Sequence, residues 1–467
     1  MAKAKVTSTS KRTQELICAA IKRGQPKMKA DGSQPDFTYT MGSMADDDFA
    51  PKVKYVLKTG IAPFDDLVGG FPFGHICEVF GLEASGKTNI VIRSCIRAQV
   101  GHIYEVTGRN GHEATMRRLD RDEFDISVVY LDNEQSLTDD KIFCDTEDNG
   151  TLVRMDANVG DCDTVDMVFK IIDISIDTCN GIEEKTRRKQ FVVFVLDTVA
   201  ATSSRDELTQ EWGKVDYPRH AVEWRKGFRQ LTRRIKRGNV CALFTNQVSD
   251  NFKEQGKKGR PQTTMPQHAD YSTFGGKALK YYSHFRVFMF NTGARYKLDP
   301  DNQFPDGYQL GFVSVKNRIK KPLREGRLAL RFAVNEAQND GGIHNKLSML
   351  ETLIYLKHAG YADDKADKTI SFKFDLFGIE TTTFGDTAKS IDEQDSAPSK
   401  RGAKAKKNPT IACRGEWLKF YEAHKPDLDA LYASAIRLAF NTDAQATTPV
   451  IDTEGDLPAT EREENAD

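Results

Sequence analysis

The sequence predicts an α/β protein built on a mostly parallel sheet with helices on both faces. From Val53 to about Phe332, apolar runs of strand length alternate with longer stretches of helical periodicity. The strand-length runs are almost wholly apolar instead of alternating, which is the pattern of strands buried on both faces. A glycine-rich turn, GLEASGKT at 81–88, stands directly between one such run and a helical stretch. The 467 residues, 39% hydrophobic and 29% charged, supply apolar material for roughly two or three domains.

In order, residues 8–23 (STSKRTQELICAAIKR) place Ser/Thr ahead of Leu16, Ile17, Ala20 and Ile21, predicting a capped amphipathic helix with a basic outer face. The alternating region follows as HICEVF (75–80), TNIVIRSCIRAQ (88–99), ISVVYLD (126–132), VDMVFKIIDISI (165–176), FVVFVLD (191–197), VEWRKGFRQLTRRIK (222–236) and VCALFTNQ (240–247). Beyond residue 335, SMLETLIYLKHAG (348–360) reads as a helix and SFKFDLFG (371–378) as a short strand. Residues 386–408, rich in Ser, Ala and Lys, read as a linker or an exposed loop. An amphipathic piece carrying Trp417, Leu418, Phe420, Tyr421, Leu428, Leu431, Ile436 and Leu438 comes next, and the acidic end reads as a disordered tail. No internal repeat is visible, which argues against a solenoid.

With 67 Lys+Arg against 68 Asp+Glu, the chain is not a globally basic protein, so a nucleic-acid surface has to be local. No run approaches the roughly 18 apolar residues of a membrane span, and MAKAKVTSTSKRTQELI has no apolar signal core; a soluble cytosolic protein is expected. The eight cysteines are scattered without a CxxC pair and read as reduced core residues. The histidines show no zinc-ligand spacing, so metal is expected only with a nucleotide.

The turn at 81–88 is a GxxxxGKT. Glycines allow successive N–H groups to curl around phosphates, and the helix start adds its positive dipole. Gly81, Glu83, Ala84, Ser85, Gly86, Lys87, Thr88 and Asn89 are the candidate phosphate-binding residues, Lys87 reaching the phosphates and Thr88 holding Mg2+. Asp197, closing FVVFVLD, is the candidate second Mg2+-side residue. Activating a water needs a further carboxylate, and Glu134 sits just past VVYLD, with Asp132 as its competitor. In a parallel sheet the strand C-terminal ends share one edge, so Gly81, Glu134, Asp197 and Gln247 are expected to converge.

These blocks together resemble the RecA-type DNA recombinases. The run KTGIAPFDDLVGGFPFGHICEVFGLEASGKT (58–88) is followed in order by LDNEQSL, VLDTVAA, LFTNQV, TFGGKALKYYSHFR (273–286) and VSVKNRIKKP (313–322), covering about 50–335. The resemblance implies a RecA-like P-loop ATPase core with an N-terminal helix and a small α+β C-terminal domain. Its divisions are 1–50 (N-terminal helix and linker, for oligomerisation), 51–335 (core), 336–445 (C-terminal domain, linker 386–408) and 446–467 (acidic tail). It makes Glu134 the base, Gln247 the residue that senses the terminal phosphate, and Lys316 and Arg318 the pair that reaches across a subunit interface. ATP and Mg2+ are the implied cofactors.

Two candidate DNA-binding loops flank Gln247. The first, 203–220, carries Arg205, Trp212, Lys214 and Arg219; the second, 248–276, carries Phe252, Lys253, Lys257, Lys258, Arg260, Tyr271 and Phe274, with Lys277 just beyond. Cations with aromatics suit phosphate contact plus stacking on bases. Between the loops, RKGFRQLTRRIKR (225–237) has an apolar face for packing and a basic face that is either solvated or near DNA. Two features depart from the family pattern: SLTDDKIF offers Asp139 or Asp140 out of register for adenine contact, and residues 100–124 look like an insertion. The implied function is ATP-dependent filament formation on single-stranded DNA, with pairing and strand exchange against a homologous duplex. Implied partners include a single-strand-binding protein and loading factors, but no membrane. The alternatives are a ring-forming helicase and an accessory repair ATPase on the same fold.

Overall fold

The computed structural model describes residues 53–109, 112–138, 141–145, 152–209, 217–235, 239–249, 272–298, 303–332, 342–356, 362–364, 370–372, 410–411 and 414–440. The chain starts with β1 (Tyr55–Leu57), α1 (Ala62–Val68), β2 (Phe71–Pro72) and β3 (His75–Gly81), which turns into α2 (Lys87–Gln99). β4 (Ile103–Arg109), β5 (His112–Arg118), β6 (Phe124–Asp132), β7 (Phe143–Asp145), β8 (Leu152–Arg154) and β9 (Asn158–Gly160) lead to α3 (Val165–Thr186) and β10 (Lys189–Asp197). Next come α4 (Arg205–Thr209), α5 (Tyr217–Arg234), β11 (Val240–Ser249), β12 (Ser272–Thr273), α6 (Ala278–Tyr282), β13 (Phe285–Tyr296), β14 (Gly307–Lys316), β15 (Glu325–Arg331), β16 (Gly342–His344) and α7 (Asn345–Tyr355). A small three-stranded sheet (362–364, 370–372, 410–411) precedes α8 (Arg414–Ala423) and α9 (Lys425–Phe440).

The central sheet has the order β16-β15-β14-β13-β3-β11-β10-β6-β9. It is parallel from β13 to β9 and antiparallel from β13 to β16. β10 shows why its sequence is continuously apolar: Phe191, Val193 and Val195 face one apolar cluster, while Val192, Phe194 and Leu196 face another. The first cluster lies under α2 and also takes in Trp417, Phe420, Leu428 and Leu431 of α8 and α9. The second lies under α3 and α5, where Trp224, Phe228 and Phe244 are fully buried; burying such side chains stabilises the fold by about 1.5–3 kcal/mol each. Trp417 is anchored by its Nε1, which donates to the Lys346 carbonyl at 2.8 Å.

Residues 100–124 are not a plain loop. They fold as the β4–β5 hairpin, whose inner strand pairs with β1 in a separate antiparallel sheet of order β2-β1-β4-β5. The first candidate loop is also shorter than expected, because α4 begins inside it and α5 starts at Tyr217. Ser204 and Glu207 exchange hydrogen bonds at that helix start, each backbone N–H donating to the other's side chain at 2.6 and 3.2 Å, a reciprocal cap. The expected N-terminal helix, most of the second loop, the 386–408 linker and the tail lie outside the described residues. Among the described residues no helix is long and apolar enough to cross a membrane.

Candidate nucleotide-binding and catalytic site

β3, β11, β10 and β6 bring their C-terminal ends to one edge of the sheet. The register sets Gln247 beside Gly81 and Asp132 beside Asp197. The glycine turn leaves β3 at Gly81, where a Cβ would lie 1.9 Å from the Met289 carbonyl oxygen, so no larger residue fits. Gly86 caps α2 with φ of 80°, a left-handed conformation that glycine adopts without strain. The first-turn N–H groups of α2 have no helical acceptor and face the turn. Ser85 Oγ donates to the Leu82 carbonyl at 2.7 Å and closes the loop on itself. Glu83 and Ala84 are exposed on its rim, and Asn89 lies half-buried in the first turn of α2.

The Lys87 ammonium sits within the loop, donating to the carbonyls of Leu82 at 2.7 Å and Gly81 at 3.2 Å. Burial pushes its pKa down, against the opposing pull of the Glu134, Asp197 and Glu83 carboxylates. Thr88 Oγ1 donates to Asp197 Oδ2 at 2.8 Å. A hydroxyl and a carboxylate side by side next to a helix N-terminus are hard oxygen donors of the kind Mg2+ prefers, and the turn matches a polyphosphate. The residues present therefore fit ATP with Mg2+, held by the loop amides, Lys87, Thr88 and Asp197.

The two candidate bases have different surroundings. Asp132 spends both carboxylate oxygens on the turn after β6, accepting from Ser136 N at 3.0 Å and Leu137 N at 2.9 Å. Glu134 instead projects to the exposed mouth of the cleft, where its Oε1 accepts from Gln247 Nε2 at 2.9 Å. Partial burial and then the Asp197 charge raise the Glu134 pKa, while Lys87 and the Gln247 bond counteract.

Gln247 also stands at the root of the second loop, because β11 runs on to pair Val248 with Thr273 and Ser249 with Ser272. Phe274, 41% exposed, offers its carbonyl to Asn246 Nδ2 at 3.0 Å. Lys277 is exposed at the start of α6. Arg205 is exposed and ion-paired with Asp166 at 2.5 Å. Arg219 falls in the first turn of α5, its side chain outside the described residues. Trp212, Lys214, Phe252, Lys253, Lys257, Lys258, Arg260 and Tyr271, with the adenine candidates Asp139 and Asp140, also lie outside the described residues.

Lys316 and Arg318 do not join their own glycine turn. Lys316 pairs in register with Arg286, and Arg286 with Glu78, toward the opposite edge of the sheet from Gly81. Lys316 Nζ donates to the carbonyls of Lys280 and Tyr281, both at 3.1 Å. Burial, with Arg318 and Arg286 nearby, pushes its pKa down to about 8.

Sequence reasoning missed several polar partners. Tyr130 and Thr245 both donate to Asp197, and buried Glu78 accepts from Arg286 and from Asn246. The available signal was a polar residue inside an apolar strand: Glu in HICEVF, Tyr in ISVVYLD and Thr-Asn in VCALFTNQ.

Comparison with known proteins points the same way as the site. The family model for the RecA N-terminal domain matches residues 135–335, beginning just past Glu134. The chain is similar to Protein RecA of Chlamydia muridarum, 28% identical over 314 residues, covering 66% of this chain and 73% of that protein. It is likewise similar to Protein RecA of Chlamydia felis, 26% identical over 314 residues, 66% of this chain and 74% of that one. Protein RecA of Chlamydia trachomatis serovar L2 is 27% identical over the same shares. With its sheet order, its glycine turn and its converging carboxylates, the chain is similar to the RecA-type family across its core.

Proposed function

We propose that this chain is an ATP-dependent DNA recombinase of the cytoplasm that polymerises on single-stranded DNA and exchanges strands with a homologous duplex. The observation that carries the reading is the Gln247–Glu134 hydrogen bond, which ties the hydrolytic carboxylate to the root of the second loop. When bound, ATP with Mg2+ supplies the scissile phosphate bond and the charge neutralisation that its cleavage needs. Glu134 takes the proton of the attacking water on the oxygen not bound to Gln247, while Lys87 and the α2 amides hold developing negative charge. Gln247 exchanges its carboxylate partner as the nucleotide state changes and so biases the order of the 248–276 loop.

Lys316 and Arg318, remote from their own turn, serve the nucleotide of a neighbouring subunit. Exposed apolar side chains support assembly: Val159 at the β9 edge is 57% exposed, and Met167, Ile174 and Ile182 along α3 are 42%, 56% and 42% exposed. The 1–50 helix docks on the next subunit, the 336–445 segment forms the second domain, and the acidic tail competes with DNA for the basic loops. Both loops contact phosphates, so binding is salt-dependent and largely independent of sequence. Single-strand-binding protein and loading factors act around this cycle.

Electron microscopy of the full chain with long single-stranded DNA and a slowly hydrolysed ATP analogue tests the reading. Continuous helical filaments that depend on nucleotide, followed by strand exchange, are the expected result. Closed rings would favour a helicase, and unassembled particles an accessory ATPase.

A further inference from the structure

We infer that Tyr130 and Thr245 are positioning residues for Asp197, fixing its carboxylate so that it accepts the proton of the Thr88 hydroxyl. The inference rests on the nucleotide reading above and deepens it. Asp197 is 1% exposed, and side-chain hydroxyls engage both its oxygens. Oδ2 accepts from Thr88 Oγ1 and from Tyr130 Oη, each at 2.8 Å, with Ser136 Oγ at 3.4 Å. Oδ1 accepts from Thr245 Oγ1 at 2.5 Å. Tyr130 comes from β6 and Thr245 from β11, the two strands that flank β10, so the carboxylate is held from both sides of its own strand.

This arrangement has a consequence for Thr88. A hydroxyl has one proton and two lone pairs. With its proton committed to Asp197, the Thr88 oxygen presents only lone pairs to the mouth of the turn, which is what a hard cation requires. A carboxylate free to rotate would leave that proton uncommitted. Tyr130 is fully buried, with Val128, Val129 and Leu131 beside it in β6, and burying a phenol hydroxyl there is costly unless a partner accepts it. Its partner is the carboxylate to which Thr88 also donates.

The test uses the full chain and a fluorescent ADP analogue, with affinity read across a Mg2+ titration and in EDTA. Loss of a partner in the outer shell of a metal site lowers metal affinity by about 10- to 100-fold. Tyr130→Phe, which keeps the ring, and Thr245→Val, which keeps the shape, should each raise the half-saturating Mg2+ concentration about tenfold, while affinity in EDTA stays at the wild-type value. Thr245→Ser should restore the wild-type Mg2+ curve. Unchanged Mg2+ midpoints in Tyr130→Phe and Thr245→Val, with nucleotide still bound, would overturn the inference. If Thr245→Val does not fold, Tyr130→Phe and the Thr245→Ser comparison decide. A wild-type protein that binds no nucleotide would instead overturn the nucleotide reading and this inference with it, a distinguishable result.

Discussion

Glu134 and Gln247 show how a single hydrogen bond can set a working pH. The Gln247 amide favours the ionised carboxylate, whereas cleft burial and Asp197 favour the protonated one. As the proposed base, Glu134 is competent only when ionised, so hydrolysis should fall on the acid side as pH drops through its raised pKa. Gln247→Ala removes a stabilising contact to the charged form and should move that acid limb to higher pH, as read from kcat between pH 5 and pH 8. Glu134→Gln should lower kcat by about 10²–10⁴-fold while leaving nucleotide binding near wild type in an equilibrium titration. The sequence pointed to Glu134 by its place after an apolar strand, and the structure adds that its competitor Asp132 caps its own turn. Tyr130 and Thr245 were hidden for a physical reason. Which hydroxyl reaches Asp197 depends on the register of β6 and β11 against β10, and register is a long-range property that strand composition does not encode.

At the level of elements, the α3–α5 contact explains a glycine in the middle of a helix. A Cβ on Gly227 would lie 2.0 Å from the Phe169 ring, which is wedged edge-on between Trp224 and Phe228 at 5.5 and 5.1 Å. Alanine gains about 1 kcal/mol in helix propensity, but overpacking costs about 1–3 kcal/mol. Gly227→Ala should therefore lower stability by up to about 2 kcal/mol, measured by urea unfolding. The centre of the sheet holds a second such constraint. Glu78 and Arg286 are an almost fully buried ion pair joining β3 to β13, and Asn246 adds a bond to Glu78 from β11 at 3.1 Å. Glu78→Ala leaves the guanidinium buried without its counter-charge and should destabilise by about 3–5 kcal/mol in the same assay. The parallel strands β3, β10 and β11 were legible because burial on both faces writes a near-continuous apolar run. The β4–β5 hairpin was not, since it is charge-rich and its pairing with β1 reaches back across α1, β2, β3 and α2.

For the whole molecule, the proposed function has Lys316, which lies apart from its own glycine turn, contact the nucleotide of a neighbouring copy. Its depressed pKa, about 8, means the ammonium is largely charged at pH 7 and largely neutral at pH 9 before a phosphate approaches. Nucleotide-dependent assembly on single-stranded DNA should accordingly weaken across that interval, as followed by light scattering. Lys316→Arg, which stays charged, should flatten the dependence.

The position of β3 also fixes when the chain matures. It is made early, but its neighbours β11 and β13 are made much later, so its hydrogen bonds close loops of high sequence separation. While the ribosome still holds residues beyond 285, one edge of β3 is bare. The glycine turn then lacks Met289, which packs on Gly81, and Leu310, which packs on Gly86. A nascent chain therefore carries an incomplete glycine turn and a bare sheet edge until synthesis has passed β14, and an unpaired edge of that kind favours aggregation.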